Sequence, residues 1–105
     1  MAQLDYFANT DKDTNKIYPF IVDVQDNLLG ELNSRVVIPL TPLINFEASY
    51  PKTLCPKITI EGKDYALLTH QMSSVSKRAL SNYQGTLANN RTEIIAAIDF
   101  LITGI

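Results

Sequence analysis

The side chains able to carry chemistry are few: one histidine, His70, one cysteine, Cys55, and the arginines Arg35, Arg78 and Arg91. General acid–base catalysis needs titratable groups within hydrogen-bond reach of one another. His70 stands at a strand end in Leu67-Leu68-Thr69-His70-Gln71-Met72, and no nucleophile elbow of the Gly-x-Ser-x-Gly type accompanies it. Four scattered glycines make no phosphate-cradling loop. One Cys and one His, 70 − 55 = 15 positions apart, cannot complete a tetrahedral metal site without distant carboxylates. No catalytic residue, metal or cofactor is therefore expected. Cys55 precedes Pro56 just ahead of a strand and reads as a buried small hydrophobe, since no basic neighbour in the sequence favours its thiolate. Lys77-Arg78, after Ser73-Ser74, could touch phosphate but reads as a solvated face.

Two other features point to recognition instead of catalysis. Asp26-Asn27-Leu28-Leu29-Gly30-Glu31 sets adjacent leucines in what the polar and glycine neighbours mark as a loop or hairpin tip. Those leucines either fold back onto the core or form an exposed apolar patch of the kind that marks partners. At Ile102-Thr103-Gly104-Ile105 a glycine C-cap with Ile105 packed on the last turn stands against a projecting contact residue.

Strands and one helix must position these groups. Ile17–Gln25 alternates so that Phe20, Val22 and Val24 share one face while Asp23 and Gln25 point the other way, the pattern of a half-buried strand with Pro19 near its start. Arg35–Leu40 repeats it with Val36, Ile38 and Leu40, and Pro39 predicts an edge position or a bulge because it lacks a ladder donor. Lys57–Ile60 and Lys63–Thr69 flank Glu61-Gly62, a tight hairpin connection. Tyr6 and Phe7 belong to a first strand, followed by an exposed loop over Asn9–Asn15. From Thr92 onward the period changes: Ile94, Ile95, Ile98, Leu101 and Ile102 recur three and four apart on one side of a helix. Asn90 and Glu93 stand in capping-box relation at its start, and Gly104 ends it. Its opposite side carries a narrow stripe of Thr92, Ala96, Asp99 and Thr103. Antiparallel strands followed by one amphipathic helix predict an α+β domain in which the helix covers part of a twisted sheet or small barrel.

At 105 residues, with no internal repeat or dividing linker, the chain reads as one domain over 1–105. Its 46% hydrophobic and 19% charged residues suffice for a packed core. A net charge of 9 − 11 = −2 disfavours unaided binding to nucleic acid. The longest strongly apolar run, Ile94–Ile98, falls far short of the roughly 20 residues of a membrane span. Met1-Ala2-Gln3-Leu4-Asp5 has neither a basic nor an apolar leader region, and a lone cysteine forms no internal disulfide, so a cytoplasmic location is expected.

In order and spacing, Phe20-Ile21-Val22-Asp23-Val24-Gln25, Arg35-Val36-Val37-Ile38-Pro39-Leu40, Leu67-Leu68-Thr69-His70-Gln71-Met72-Ser73-Ser74-Val75 and Gly104-Ile105 resemble the CcdB family of toxins, over a span from Ile17 to Ile105. The resemblance implies an SH3-like small β-barrel or antiparallel sheet with a C-terminal helix, a homodimer, and a type II toxin–antitoxin toxin without enzymatic activity of its own. Proteins similar to this bind the A subunit of DNA gyrase inside the opened DNA gate and trap the cleaved, covalent DNA intermediate. A labile antitoxin with a disordered carboxyl-terminal region wraps the toxin and displaces gyrase. Toxin and antitoxin together repress their operon, so operator DNA is expected as a partner only in that complex. By motif, the gyrase contacts fall on Leu28, Leu29, Ala96, Asp99, Thr103, Gly104 and Ile105. The chain departs from the family pattern at Thr103, where a tryptophan is usual, in a longer Asn9–Lys16 loop, and in the less amide-rich stripe of Thr92, Ala96 and Asp99. Toxins of the MazF and Kid type share this fold but cleave messenger RNA, so fold alone does not choose between the two. Arg35, His70 and Arg78 are the obvious candidates for such a site, and the acidic balance argues against them. A third reading is an interaction module without toxicity.

Overall fold

The computed structural model describes residues 2–46 and 51–104. Its strands are β1 (Asp5–Ala8), β2 (Phe20–Asp23), β3 (Ser34–Pro42), β4 (Lys57–Ile60), β5 (Lys63–Leu67), β6 (Ser73–Ser76) and β7 (Tyr83–Thr86), followed by helix α1 (Arg91–Thr103). Every pairing among the described residues is antiparallel, in the order β4-β5-β3-β2-β1-β7 with β6 also on β3. The nine-residue β3 is the spine. One edge takes β2; the other takes β6 along Ser34–Val37 and then β5 along Leu40–Pro42. Two successive partners on one edge curl the sheet into a half-barrel, and the fold is α+β.

Alternation decides which face each strand buries. In β4, Ile58 and Ile60 are buried while Lys57 and Thr59 are exposed, and Glu61 (φ 51°) and Gly62 (φ 81°) turn the chain into β5 with the two positive φ angles of a type I′ hairpin. The concave face holds Leu4, Val22, Ile38, Leu40, Ile58, Leu67 and Leu87, closed by Ile94 of α1. Burying Ile94 contributes about 2–3 kcal/mol by area transfer. Phe20 packs edge-on between Tyr6 and Tyr65, at ring-centre distances of 5.5 and 5.4 Å. A second cluster of Phe7, Val37 and Leu80 covers the other face of the sheet.

Four expectations from the sequence need correction. The regular strand β2 is shorter than Ile17–Gln25, and it is not half-buried: Asp23 and Gln25 are as enclosed as Val22 and Val24, because Arg35 meets them from β3. Pro39 sits neither at an edge nor in a bulge but inside the central strand, opposite Ile21. The Val24 N–H donates to the Val36 carbonyl at 3.0 Å, so by antiparallel alternation Ile21 and Pro39 form a non-hydrogen-bonded pair and the proline nitrogen faces the opposite edge. On that edge, where β3 passes from β6 to β5, the Leu68 N–H donates to the Pro39 carbonyl at 3.0 Å, and the proline forgoes only the reciprocal bond. In α1 the buried side is Ile94 and Ala97, with Ile98 partly covered, whereas Ile102 is 74% exposed. Apolar spacing alone put Ile102 with the core. Finally, Asn90 does not cap the helix backbone; its side-chain amide donates to Glu93 Oε2 at 3.0 Å. The C-terminal end follows expectation: Gly104 is left-handed (φ 75°) and its N–H donates to the Phe100 carbonyl at 2.9 Å.

Candidate functional site

Residues 27–29 form a single 3₁₀ turn between β2 and β3. Asp26 starts it, its Oδ1 accepting from the Leu28 N–H at 2.8 Å, a local side-chain cap that competes successfully with strand pairing. The turn leaves Leu28 89% and Leu29 49% exposed. Neither leucine belongs to a core cluster among the described residues; the apolar tip points outward and does not fold back.

A buried polar network lies directly beneath this tip. Arg35 is 1% exposed and Asp23 fully enclosed. The guanidinium donates from Nε to Asp23 Oδ2 at 2.9 Å, and Nη2 stands 2.7 Å from the same oxygen. Nη2 also donates to the Gln25 carbonyl at 3.2 Å. The Gln25 N–H donates to Asp23 Oδ1 at 3.1 Å, its side-chain oxygen accepts from the Val36 N–H at 3.1 Å, and its side-chain NH₂ donates to the Leu29 carbonyl at 3.1 Å. Each charge therefore has both a counter-charge and neutral partners, the condition under which a buried pair is tolerated. From the other side of the turn, Lys77 donates through Nζ to the Gly30 carbonyl, so Lys77 is no solvated surface cation, contrary to expectation. Its neighbour Arg78 is exposed.

The second patch is the outer side of α1. Thr92, Ala96, Asp99, Thr103 and Gly104 are all exposed, as the stripe requires. Ile105 lies outside the described residues. The Thr103 hydroxyl donates back to the Asp99 carbonyl at 2.7 Å. Arg91, Thr92, Ile95, Ala96 and Asp99 line a shallow groove of about 350 Å³, and Ile102 extends the Arg91–Ile95 row about two turns further, at i, i+4 and i+11.

Gln3 joins the two patches. Its N–H donates to Asn27 Oδ1 at 2.7 Å, its side-chain NH₂ to the Val24 carbonyl at 3.1 Å, and its side-chain oxygen accepts from Arg91 Nη1 at 2.7 Å. The leucine turn is thus tied to the first residue of α1, while Gly104 lies about 20 Å further along the axis at 1.5 Å per residue. Within one chain the leucines and the far end of the helix form two separate patches flanking the groove.

Among the groups considered for chemistry, the structure brings Cys55 and His70 together, while Arg35 is not part of that pair. Arg35 is committed inside the core to Asp23 and Gln25, and His70 stands at a different place, its Nδ1 3.7 Å from Cys55 Sγ. Burial pushes the Cys55 thiol above the ordinary 9.0, with a smaller opposing effect from a hydrogen bond to the Thr69 backbone, and it packs with Ala66 and Leu68 as the small hydrophobe the sequence suggested. Among the described residues no group of three or more His, Cys, Asp or Glu could hold a metal ion, and no helix is long and apolar enough to cross a membrane.

Sequence reasoning missed Gln25, Lys77, Gln3 and Ile102. For Gln25 the signal was present: Asp23 and Gln25 alternate onto one face of β2, and Arg35 occupies the matching face of β3. Nothing in the sequence pairs Lys77 with Gly30 or Gln3 with Arg91, which are 47 and 88 positions apart.

A protein-family model described as "CcdB protein" matches residues 3–104, every element described above. The chain belongs to the CcdB family. Its class is that of the gyrase-poisoning toxins of toxin–antitoxin systems, proteins that act on an enzyme without being one.

Proposed function

We propose that this protein acts in the cytoplasm as a homodimer that binds the A subunit of DNA gyrase and traps the cleaved DNA–gyrase complex. A cognate antitoxin, through its disordered carboxyl-terminal region, neutralises it, and the two together repress their operon at the operator. The gyrase-binding surface comprises Leu28 and Leu29 on the turn, Ala96, Asp99 and Thr103 on the last helix, and the Gly104-Ile105 that follows in sequence. The observation that carries this reading is the leucine turn: Leu28 is 89% exposed on a turn that Gln25 links to the enclosed Arg35–Asp23 ion pair. A solvent-facing leucine on a built support is what a contact surface requires, and a loose loop would present none. A twofold dimer would offer two such turns to a twofold partner. The ribonuclease alternative has less support, since Arg35, one of its candidates, is enclosed and ion-paired.

The direct test is purified gyrase with supercoiled DNA, scored for cleaved, protein-linked DNA with and without this protein. Accumulation of such DNA is expected; its absence at saturating protein would overturn the proposal. Deleting Gly104 and Ile105 should abolish trapping while leaving a folded dimer. Leu28→Glu should weaken binding to the gyrase A subunit while shifting stability by less than about 0.5 kcal/mol, the range of surface substitutions. RNA incubated with the protein should stay intact.

A further inference from the structure

The turn that carries Leu28 and Leu29 is fastened at two successive carbonyls by side chains that approach from opposite directions. Gln25, two residues past β2, reaches forward to the carbonyl of Leu29, and Lys77, in the 3₁₀ turn after β6, reaches across to the carbonyl of Gly30. Backbone pairing supports the Lys77 side as well, through its own N–H to the Asn33 carbonyl at 3.0 Å. The turn's other bonds are Leu29 N–H to the Asp26 carbonyl, Gly30 N–H to the Asn27 carbonyl, Leu32 N–H to the Leu29 carbonyl, the Asp26 cap on the Leu28 N–H and the Gln3 N–H on Asn27 Oδ1, all on its entry side except the Leu32 bond. A turn of three residues with both leucines facing water has no apolar burial to hold it, so its conformation depends on these polar fastenings. Gln25 is itself held at its other three polar atoms by Asp23, Val36 and Arg35, and so transmits the rigidity of the buried ion pair to the turn.

We propose that Gln25 and Lys77 are positioning residues for the partner-binding leucines: they touch no partner, and by clamping the Leu29 and Gly30 carbonyls they hold Leu28 in its binding-competent pose. This rests on the gyrase-contact reading of Leu28 and Leu29 above. Holding a contact loop in its bound form lowers the ordering cost at association. Loss of either clamp should therefore weaken binding without removing any contact atom.

The test uses the full-length chain with Gln25→Glu and, separately, Lys77→Met. A carboxylate at position 25 keeps an acceptor for Val36 N–H but has no hydrogen to give the Leu29 carbonyl; the Lys77 change lies outside the core and keeps the assay usable should the first variant fold poorly. Amide exchange at Leu29, Gly30 and Leu32 should quicken about tenfold in each variant while amides of β3 and β5 keep their protection. Affinity for the gyrase A subunit should fall about tenfold in each. In a chain already carrying Leu28→Ala and Leu29→Ala, adding either change should cost no further affinity, since residues acting through a shared element are non-additive. Unchanged exchange at the turn in both variants overturns the proposal whatever gyrase does. A loosened turn with wild-type gyrase affinity, or full additivity in the leucine-free background, overturns it too and leaves the leucine contact standing. Wild-type affinity in the chain carrying Leu28→Ala and Leu29→Ala overturns the contact reading itself, and this proposal with it.

Discussion

The leucine turn and the end of α1 are both exposed, yet they are held in opposite ways. Beneath the turn lies a polar support in which Asp23, Arg35 and Gln25 hydrogen-bond to one another. The helix end has no such support. It stands on the apolar anchoring of Ile94 and Ala97 two turns earlier, and its last residues are fixed by the left-handed Gly104, the bond from its N–H to Phe100, and the Thr103 hydroxyl on Asp99. A surface turn too short to bury anything is made rigid by hydrogen bonds from below, whereas a helix needs only one buried stripe because its own ladder carries the rigidity forward. Damage should therefore spread differently: through charge at the turn, through packing at the helix.

The sharpest way to break this contrast is Arg35→Met, which strands the Asp23 carboxylate in the core. It should cost about 3–5 kcal/mol, read as a lowered urea midpoint, with the turn loosened as well. A loss under about 1 kcal/mol, the size of one net hydrogen bond, would show the network to be dispensable. Next, Ile94→Ala should cost about 2–4 kcal/mol by cavity formation and speed amide exchange along α1 while leaving the turn protected; loosening of both regions together would abolish the distinction. Gly104→Ala places a Cβ on a left-handed backbone, though no neighbouring atom obstructs it. It should cost about 1 kcal/mol and fray only the last turn, with thermal unfolding as the measure. The smallest effect concerns pH. Burial raises the folded-state thiol of Cys55, so the unfolded chain ionises first. The corresponding stability is intact below the ordinary 9.0 and lost as pH rises through the folded value. The raised phenol of Tyr6, also due first to burial, acts in the same direction at higher pH. Between about pH 7.5 and 9.5 the unfolding midpoint of the natural chain should fall more than that of Cys55→Ala; equal falls would remove the thiol from the account.

Much of the architecture was legible beforehand. Alternation marked the strands around Val22 and Ile38, Glu61-Gly62 marked the hairpin that includes Ile58, and the 3.6 period marked α1 with its glycine stop. These signals are local, arising from pleat, turn dihedrals and helical pitch. The outward direction of Leu28 was not legible, nor was the enclosure of Asp23 and Gln25 in a strand that alternation painted as half wet. Pro39 misled for a related reason: one missing donor is tolerated inside a central strand at the place where β3 changes partner from β6 to β5, and its carbonyl still accepts from the Leu68 N–H.

What the sequence determined alone was five of the strands, the helix and the family they compose, because each follows from interactions between residues a few positions apart and from motif order along the chain, whereas β6 and β7 carried no such signal. Tertiary structure alone decided that Arg35 closes on Asp23 beneath the leucine turn, that Lys77 crosses 47 positions to hold Gly30, and that Ile102 runs past the sheet into solvent. Those outcomes depend on which surfaces the curl of β3 brings together, and burial of a charge or exposure of an isoleucine is a property of that assembly, not of any segment within it.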